Sequence, residues 1–251
     1  MPAWSGTRPL KRWRYVGIYA ESLMLCAGVV HVAGMPQAFW AVWDRRARVL
    51  RQRTTVLRTT PVRVVADAVD VRDAEYGIHL RLEPEGEAVE VVSPQGRSYI
   101  WTRKWPVVAT GQVGSEAVRG RGLVDESAGY HARATAWEWA AGVGRSSDGR
   151  SLAWNLVAGI HDSPASSERT VWVDGVASEL GPATFSPGLD RVSFEGGQLR
   201  FAEEAVRRRR DRLVVISSDY VQPFGTVSGT LPGGIEVAEG YGVMERHHAK
   251  W

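Results

Sequence analysis

The sequence predicts an all-β chain whose antiparallel strands form a sandwich or barrel, and three observations carry that prediction. The 251 residues include 11 Trp, 27 Gly and 12 Pro. Tryptophan and chain punctuation at that density suit many short strands walling a cavity better than a helical bundle. Apolar and polar residues alternate with a period of two over most of the chain, the strand period. Almost every alternating run is bounded by Gly, Pro, Asp or Ser, the turn formers.

Taken in order, the first apolar stretch runs from Val16 to Val32 behind Lys11, Arg12 and Arg14. Glu21 and His31 interrupt it, and the uninterrupted part is shorter than the ~20 residues of a spanning helix. It reads as two strands, Tyr15–Ala20 and Leu23–Val32, with neither a signal peptide nor a membrane span, so the expected location is cytoplasmic. Val62–Val71 alternates next, followed by Gly77–Leu82, where Ile78, Leu80 and Leu82 share one side. Glu83–Gly86 reads as a turn that sends Ala88–Val92 back as the second strand of a hairpin. Ser93–Gly96 turns the chain again into Arg97–Trp101. Gly111, Gly114, Gly120 and Gly122 mark the weakest point in the pattern and the expected boundary between domains.

Further short strands are expected at Thr135–Ala140, Leu152–Ala158, Thr170–Val173, Arg191–Phe194, Gln198–Phe201, Leu213–Ser217 and Gly234–Ala238. Helical signals are few. Ser186–Leu189 can hold one turn, and Phe201–Arg212 reads either as a short amphipathic helix or as strand, arginine loop and strand.

The hydrophobic fraction of 44% and charged fraction of 24% are those of a soluble globular chain long enough for a sizeable core. A single cysteine, Cys26, excludes an internal disulfide framework and any cysteine-rich metal site. It sits in an apolar strand, as a small core residue would. The net charge is +3, from 31 Lys and Arg against 28 Asp and Glu. Lysine occurs only at 11, 104 and 250. Arginines gather between Arg45 and Arg58 and in the run Arg207–Arg212. Such a run can neutralise phosphates, but Glu203, Glu204 and Asp211 dilute it, and nucleic acid is not the expected partner.

The tryptophans concentrate in Val124–Gly175. On an extended strand Thr135, Trp137 and Trp139 share one face, with Ala136, Glu138 and Ala140 on the other. In the next strand Ala153, Asn155 and Val157 lie opposite Trp154 and Leu156. A carboxylate among alanines and an amide between apolar neighbours are what an interior polar patch requires. Buried, each needs a partner, because an unpaired polar group costs ~1–3 kcal/mol. The plainer alternative is that Glu138 faces water and Asn155 ties down a loop.

Motifs spread along the whole chain resemble those of the bacterial family known as domain of unknown function 2804. The shared features begin with K-R-W-R-Y (pattern K-x-W-x-Y), W-T-R-K at Trp101–Lys104 and P-x-x-x-x-G at Pro106–Gly111. L-V-D-x-x-x-G-Y at Leu123–Tyr130, W-x-W-A at Trp137–Ala140, N-L at Asn155–Leu156 and V-W-V-D-G at Val171–Gly175 follow. Q-P-F-G-x-x-x-G at Gln222–Gly229 and G-V-M-E-x-x-x-A-x-W at Gly242–Trp251 close the chain. The chain departs from the pattern in being shorter before W-T-R-K, and in carrying Glu126 where an aromatic is more usual. The family in turn resembles, distantly, the lipocalin-like proteins that include carotenoid hydratases and related cyclases. The resemblance implies two lipocalin-like antiparallel β-barrel or half-barrel lobes with few short helices, at residues 1–118 (trimmed) and 119–251. It implies no particular reaction.

Other constellations are less specific. Glu245-x-His247-His248 and His161-Asp162 are acid–imidazole clusters, but adjacent histidines on a strand point to opposite faces and a metal needs three or four convergent ligands. No metal and no cofactor are therefore expected. Asp125, Glu126 and His131 form an acid–base set only if loops bring them together. Arg103 and Lys104 beside Trp101 and Trp105 suit either cation–π contact or anion binding, or else a strand whose charged side faces water while the tryptophans pack inward.

The expectation is a protein that binds a small hydrophobic molecule and can act on it by acid–base chemistry of the hydratase, lyase or isomerase kind. Asp125, Glu138, Asn155 and His161 are the candidate catalytic residues. Trp137, Trp139, Trp154, Trp172 and Arg103 are the candidate ligand-binding residues. A non-catalytic carrier or structural protein is the rival reading, and arginine-mediated binding of nucleic acid or acidic lipid is the third.

Overall fold

The computed structural model describes residues 1–59, 61–73, 76–95, 97–212 and 217–250, with the Gln95 side chain excepted. The chain divides into two compact units, residues 1–131 and 132–251. The first contains β1 (Trp4–Ser5), β2 (Arg8–Tyr19), β3 (Leu23–Val32), β4 (Met35–Asp44), β5 (Val49–Val56) and β6 (Val62–Val64). It continues with β7 (Ala68–Arg72), β8 (Gly77–Pro84), β9 (Val89–Gln95), β10 (Ser98–Val113) and β11 (Glu116–Tyr130). The second contains β12 (Ala134–Ser146), β13 (Ser151–Ala158), β14 (Thr170–Val173), β15 (Val176–Glu179) and β16 (Ala183–Phe185). It ends with β17 (Arg191–Phe194), β18 (Gly197–Arg212), β19 (Ser217–Leu231) and β20 (Ile235–Lys250). Among the described residues the helical structure is one 3₁₀ turn, Pro232–Gly234.

Both sheets are antiparallel, curled half-barrels of one plan. In the first the order is β5-β4-β3-β2-β11-β10-β8-β7-β6, with β1 on β2 and β9 on β10. In the second it is β15-β14-β13-β12-β20-β19-β18-β17-β16. Each is a four-strand meander followed by a longer one whose last strand pairs with the unit's first long strand. The all-β expectation of two antiparallel half-barrel lobes is thereby met.

Period two explains the placement of the cores. Val16, Ile18, Leu25, Val42, Val107 and Val124 point into the concave side of the first sheet with Val62 and Val64. Ala140, Leu152, Trp154, Leu156, Phe201 and Met244 do the same in the second. Where β2 and β11 run together, a side chain at Gly122 would put its Cβ 1.8 Å from the Gly17 carbonyl oxygen. Only glycine permits that approach.

Several expectations change. Glu83–Gly86 does not reverse the chain: β8 and β9 lie end to end along the same edge of β10, so residues 85–88 interrupt one strand direction. The acidic E-P-E-G-E composition signals a break, and composition alone cannot say whether a break is a bend or a reversal. Val62–Val71 is a hairpin of β6 and β7. The glycine-rich stretch 111–122 is the end of the β10–β11 hairpin, Val113 opposite Glu116, and the units divide after His131 instead. Phe201–Arg212 is neither helix nor loop but part of the continuous strand β18, kinked by a register shift between Glu203 and Ala205. Of the strand expected at Leu213–Ser217, residues 213–216 lie outside the described residues. No helix among the described residues is long and apolar enough to cross a membrane.

Candidate functional site

The side chains turned away from each of these cores form a second face on each sheet, and much of it is buried. Polar groups there stand among buried apolar ones such as Met24, Trp43, Val143 and Phe224, so it is called the polar face for the charged and amide groups it holds. In the second unit this face is built across six strands. Register places Trp139 opposite Glu245 and Trp137 opposite His247, Tyr220 opposite His247, and Arg207 opposite Gln222. On the other side Asn155 stands opposite Ala141 and Thr170, and Trp172 opposite Ala153.

Glu245 is the centre of this face. It is 7% exposed, and Gln222 beside it is fully buried. The Trp137 indole donates to one carboxyl oxygen at 2.9 Å, and the Gln222 amide donates to the other at 3.1 Å. His247 is two residues on and shares the face, ~7 Å along the strand. Its ring packs against Trp137 at 4.3 Å and edge-on to Tyr220 at 5.3 Å, and its Nε2 meets the Ser218 hydroxyl at 2.8 Å. The buried Arg207 guanidinium lies over the Tyr220 ring at 5.0 Å. A groove of about 420 Å³ opens at the end of these strands, with Thr135, Ser218 and His248 in its wall. The arrangement offers a carboxylate that can take up a proton, an imidazole nearby, and indole walls held in fixed orientation.

Asn155 braces this wall. Its carbonyl accepts the Trp139 indole N–H at 2.7 Å and its amide donates to the Glu168 carbonyl at 2.7 Å. Both polar ends are thus engaged, as burial demands.

In the first unit the polar face carries Lys11, Trp13 and Tyr15 on β2, Lys104 on β10 and Asp125 on β11. Asp125 stands opposite both Lys104 and Tyr15. The Lys104 ammonium meets the Asp125 carboxylate at 2.7 Å, with 4% and 13% of the two side chains exposed. Burial draws Lys11 from an ordinary value of 10.5 down to about 7. Trp13 packs against His131 at 5.3 Å.

The residues expected at a site therefore divide. Asp125 and Asn155 stand on the polar faces, as do Trp137, Trp139 and Trp172. Glu138 is on the core side of the second sheet, where Arg246 donates to it at 2.9 and 2.5 Å and also to the Pro187 and Ser186 carbonyls. Trp154 belongs to the apolar core. His161 is buried in the segment after β13, at φ 52°. Arg103 is exposed and lies over Trp105 at 5.1 Å. Asp125 and Glu126, being adjacent on a strand, point to opposite faces; Glu126 pairs with Arg14, and the set with His131 does not form. No three His, Cys, Asp or Glu side chains among the described residues cluster as a metal site would. Gln222, Arg207, Lys104 and Glu245 are met in the sequence only as members of motifs, a basic run, a tryptophan-flanked pair and a histidine cluster, and none of them stands among the expected site residues. For Glu245 the signal lay in G-V-M-E, where the acid directly follows the core residue Met244 and so turns to the opposite face.

Comparison with curated proteins gave no match. Among solved structures, a Nitrosomonas europaea protein provisionally named AttH aligns over 94% of this chain and 91% of its own, at 14% identity and TM-score 0.51. Kievitone hydratase from Nectria haematococca aligns over 94% and 88%, at 10% identity and TM-score 0.54. At such identities the likeness is one of fold. Residues 54–251 match the model of the family described as domain of unknown function DUF2804, and the chain belongs to that family.

Proposed function

We propose that the chain binds a small, flat, largely apolar molecule on its tryptophan-walled polar face and moves a proton on it, as hydratases, lyases and isomerases do. The observation that carries this reading is where the motif side chains stand. Lys11, Trp13, Tyr15, Lys104, Asp125, Trp137, Trp139, Asn155, Gln222 and Glu245 all lie on the polar faces. Glu245 is the proton acceptor: its carboxylate is buried and held in place by Trp137 and Gln222, with His247 on the same face of the strand. His247, two residues on along the same strand, is the group that returns a proton. That a hydratase shares the fold agrees with this reading and does not carry it.

The test begins with the small molecule that co-purifies with the protein, detected by native mass spectrometry and recovered by solvent extraction. Incubated in D₂O, it should gain deuterium at carbon with wild type. Glu245→Gln should slow that gain by about 10²–10⁴-fold while still binding. A bound molecule that never exchanges would favour a carrier, and equal rates in both proteins would remove Glu245 from the chemistry.

A further inference from the structure

A different cavity, of about 670 Å³, opens in the first unit along β6. Among the described residues β6 pairs with β7 alone, so the cavity reaches both sides of this strand. Val62 and Val64, on one side, are 5% and 8% exposed and belong to the apolar core, against which Val29 also packs. On the other side Arg63 and Asp70 face each other across the hairpin, with Arg72 next along the strand.

Charge at this mouth is unbalanced. Arg12 stands opposite His31, and Arg14 opposite Val29; both His31 and Val29 line the cavity. The Arg14 charge is matched by Glu126. Asp70 is shared between Arg63 at 3.5 Å and the His79 imidazole at 3.1 Å. Arg12 and Arg72 add two further positive charges. His31 registers the field: burial first, and then the Arg12 charge, hold its pKa below the usual histidine value. An apolar wall of valines beside guanidinium groups suits a ligand with the same division.

We propose that this cavity binds an apolar chain ending in a carboxylate, its tail against Val29, Val62 and Val64 and its head between Arg63 and Arg72. The site is separate from the face around Glu245 and does not depend on the reaction proposed there.

The full-length protein would be titrated with dodecanoate, dodecanol and dodecyltrimethylammonium, followed by calorimetry and by the NMR signals of the His31 ring. Dodecanoate is expected to bind at one site per chain, about tenfold or more tighter than dodecanol, as a charge-assisted contact should. The bound carboxylate should also raise the pH at which His31 titrates. The double variant Arg63→Gln, Arg72→Gln should retain the dodecanol affinity and lose the preference for the acid. Glu245→Gln should leave all three affinities unchanged, which separates failure here from failure of the proposed reaction. Equal binding of acid and alcohol, the ammonium binding as well as the acid, or a preference that survives the double variant would each overturn the proposal.

Discussion

Lys11 shows how strongly one residue's chemistry can depend on its place on a strand. In the sequence it is one of only three lysines and stands just ahead of an apolar stretch, where its charge suggests a solvated flank. Alternation along β2 turns it to the same face as Trp13 and Tyr15, where it is 3% exposed. Burial penalises the ammonium and lowers its pKa to about 7. The folded state therefore holds the proton less tightly than the unfolded chain. Between about pH 7 and 10.5 the unfolded state carries more protons at this site, so stability rises with pH across that window. Urea unfolding of wild type and Lys11→Met at pH 7 and pH 9.5 measures the effect. The gap between the two midpoints is expected to shift in favour of wild type as pH rises, because the variant lacks the titrating group. A gap that stays constant would mean Lys11 is no easier to deprotonate than an exposed lysine.

At the scale of the element, turn chemistry was legible where it used residues with a fixed conformational meaning. Asp174 and Gly175 both have positive φ, 50° and 81°, and they join Val173 to Val176. Positive φ at both central residues is the geometry that matches the twist of a two-residue hairpin. The turn is also tied to β13: the Asp174 carboxylate accepts the Ser151 N–H at 2.8 Å, and the Ser151 carbonyl accepts the Asp174 N–H at 2.8 Å. Gly175→Ala should accordingly destabilise the second unit by about 1–2 kcal/mol, the cost of a left-handed conformation for a residue with a Cβ. Thermal unfolding is the measurement, and an unchanged Tm would show that the turn relaxes without loss. Glu83–Gly86 illustrates the opposite case. Its proline and glycine announce an interruption, but β9 pairs with the strand after it, β10, on the edge where β8 also lies, so the composition of the break could not tell a bend from a hairpin. The arginines of β18 were ambiguous for a similar reason. Their alternation becomes visible only once β19 pairs with them, since arginine is itself a good helix former and an unbroken run of it shows no apolar period.

For the whole molecule, the all-β class was legible because period two survives along nearly every strand, while the division into two half-barrels came from the family resemblance. That each sheet has a polar face rich in motif residues was not, since strand alternation fixes two faces without saying which one meets the core. Glu138 and Glu245 are both acids beside tryptophans in sequence or space, and only strand pairing separates a bracing ion pair from a carboxylate held by Trp137 and Gln222. The same distribution of side chains decides what the +3 charge can do. Read as a string, Arg207–Arg212 is a basic run; on β18 it alternates between faces. Arg207 is 4% exposed, Arg209 is held by Asp211 and Arg210 by Asp219, both at 2.6 Å. In the other basic segment Arg53 is held by Asp73 at 2.7 Å. Affinity for a nucleic acid backbone comes from cations free to displace counterions along one surface, and its signature is a steep fall with salt. Arginines divided between faces and already paired displace few. Binding to a 20-base-pair duplex is therefore expected to be weaker than about 10 µM at physiological salt, with a shallow salt dependence. Fluorescence anisotropy from 50 to 200 mM salt tests this. Tight binding that falls steeply with salt and is abolished by Arg208→Glu with Arg210→Glu would show instead that the run acts as one cationic surface.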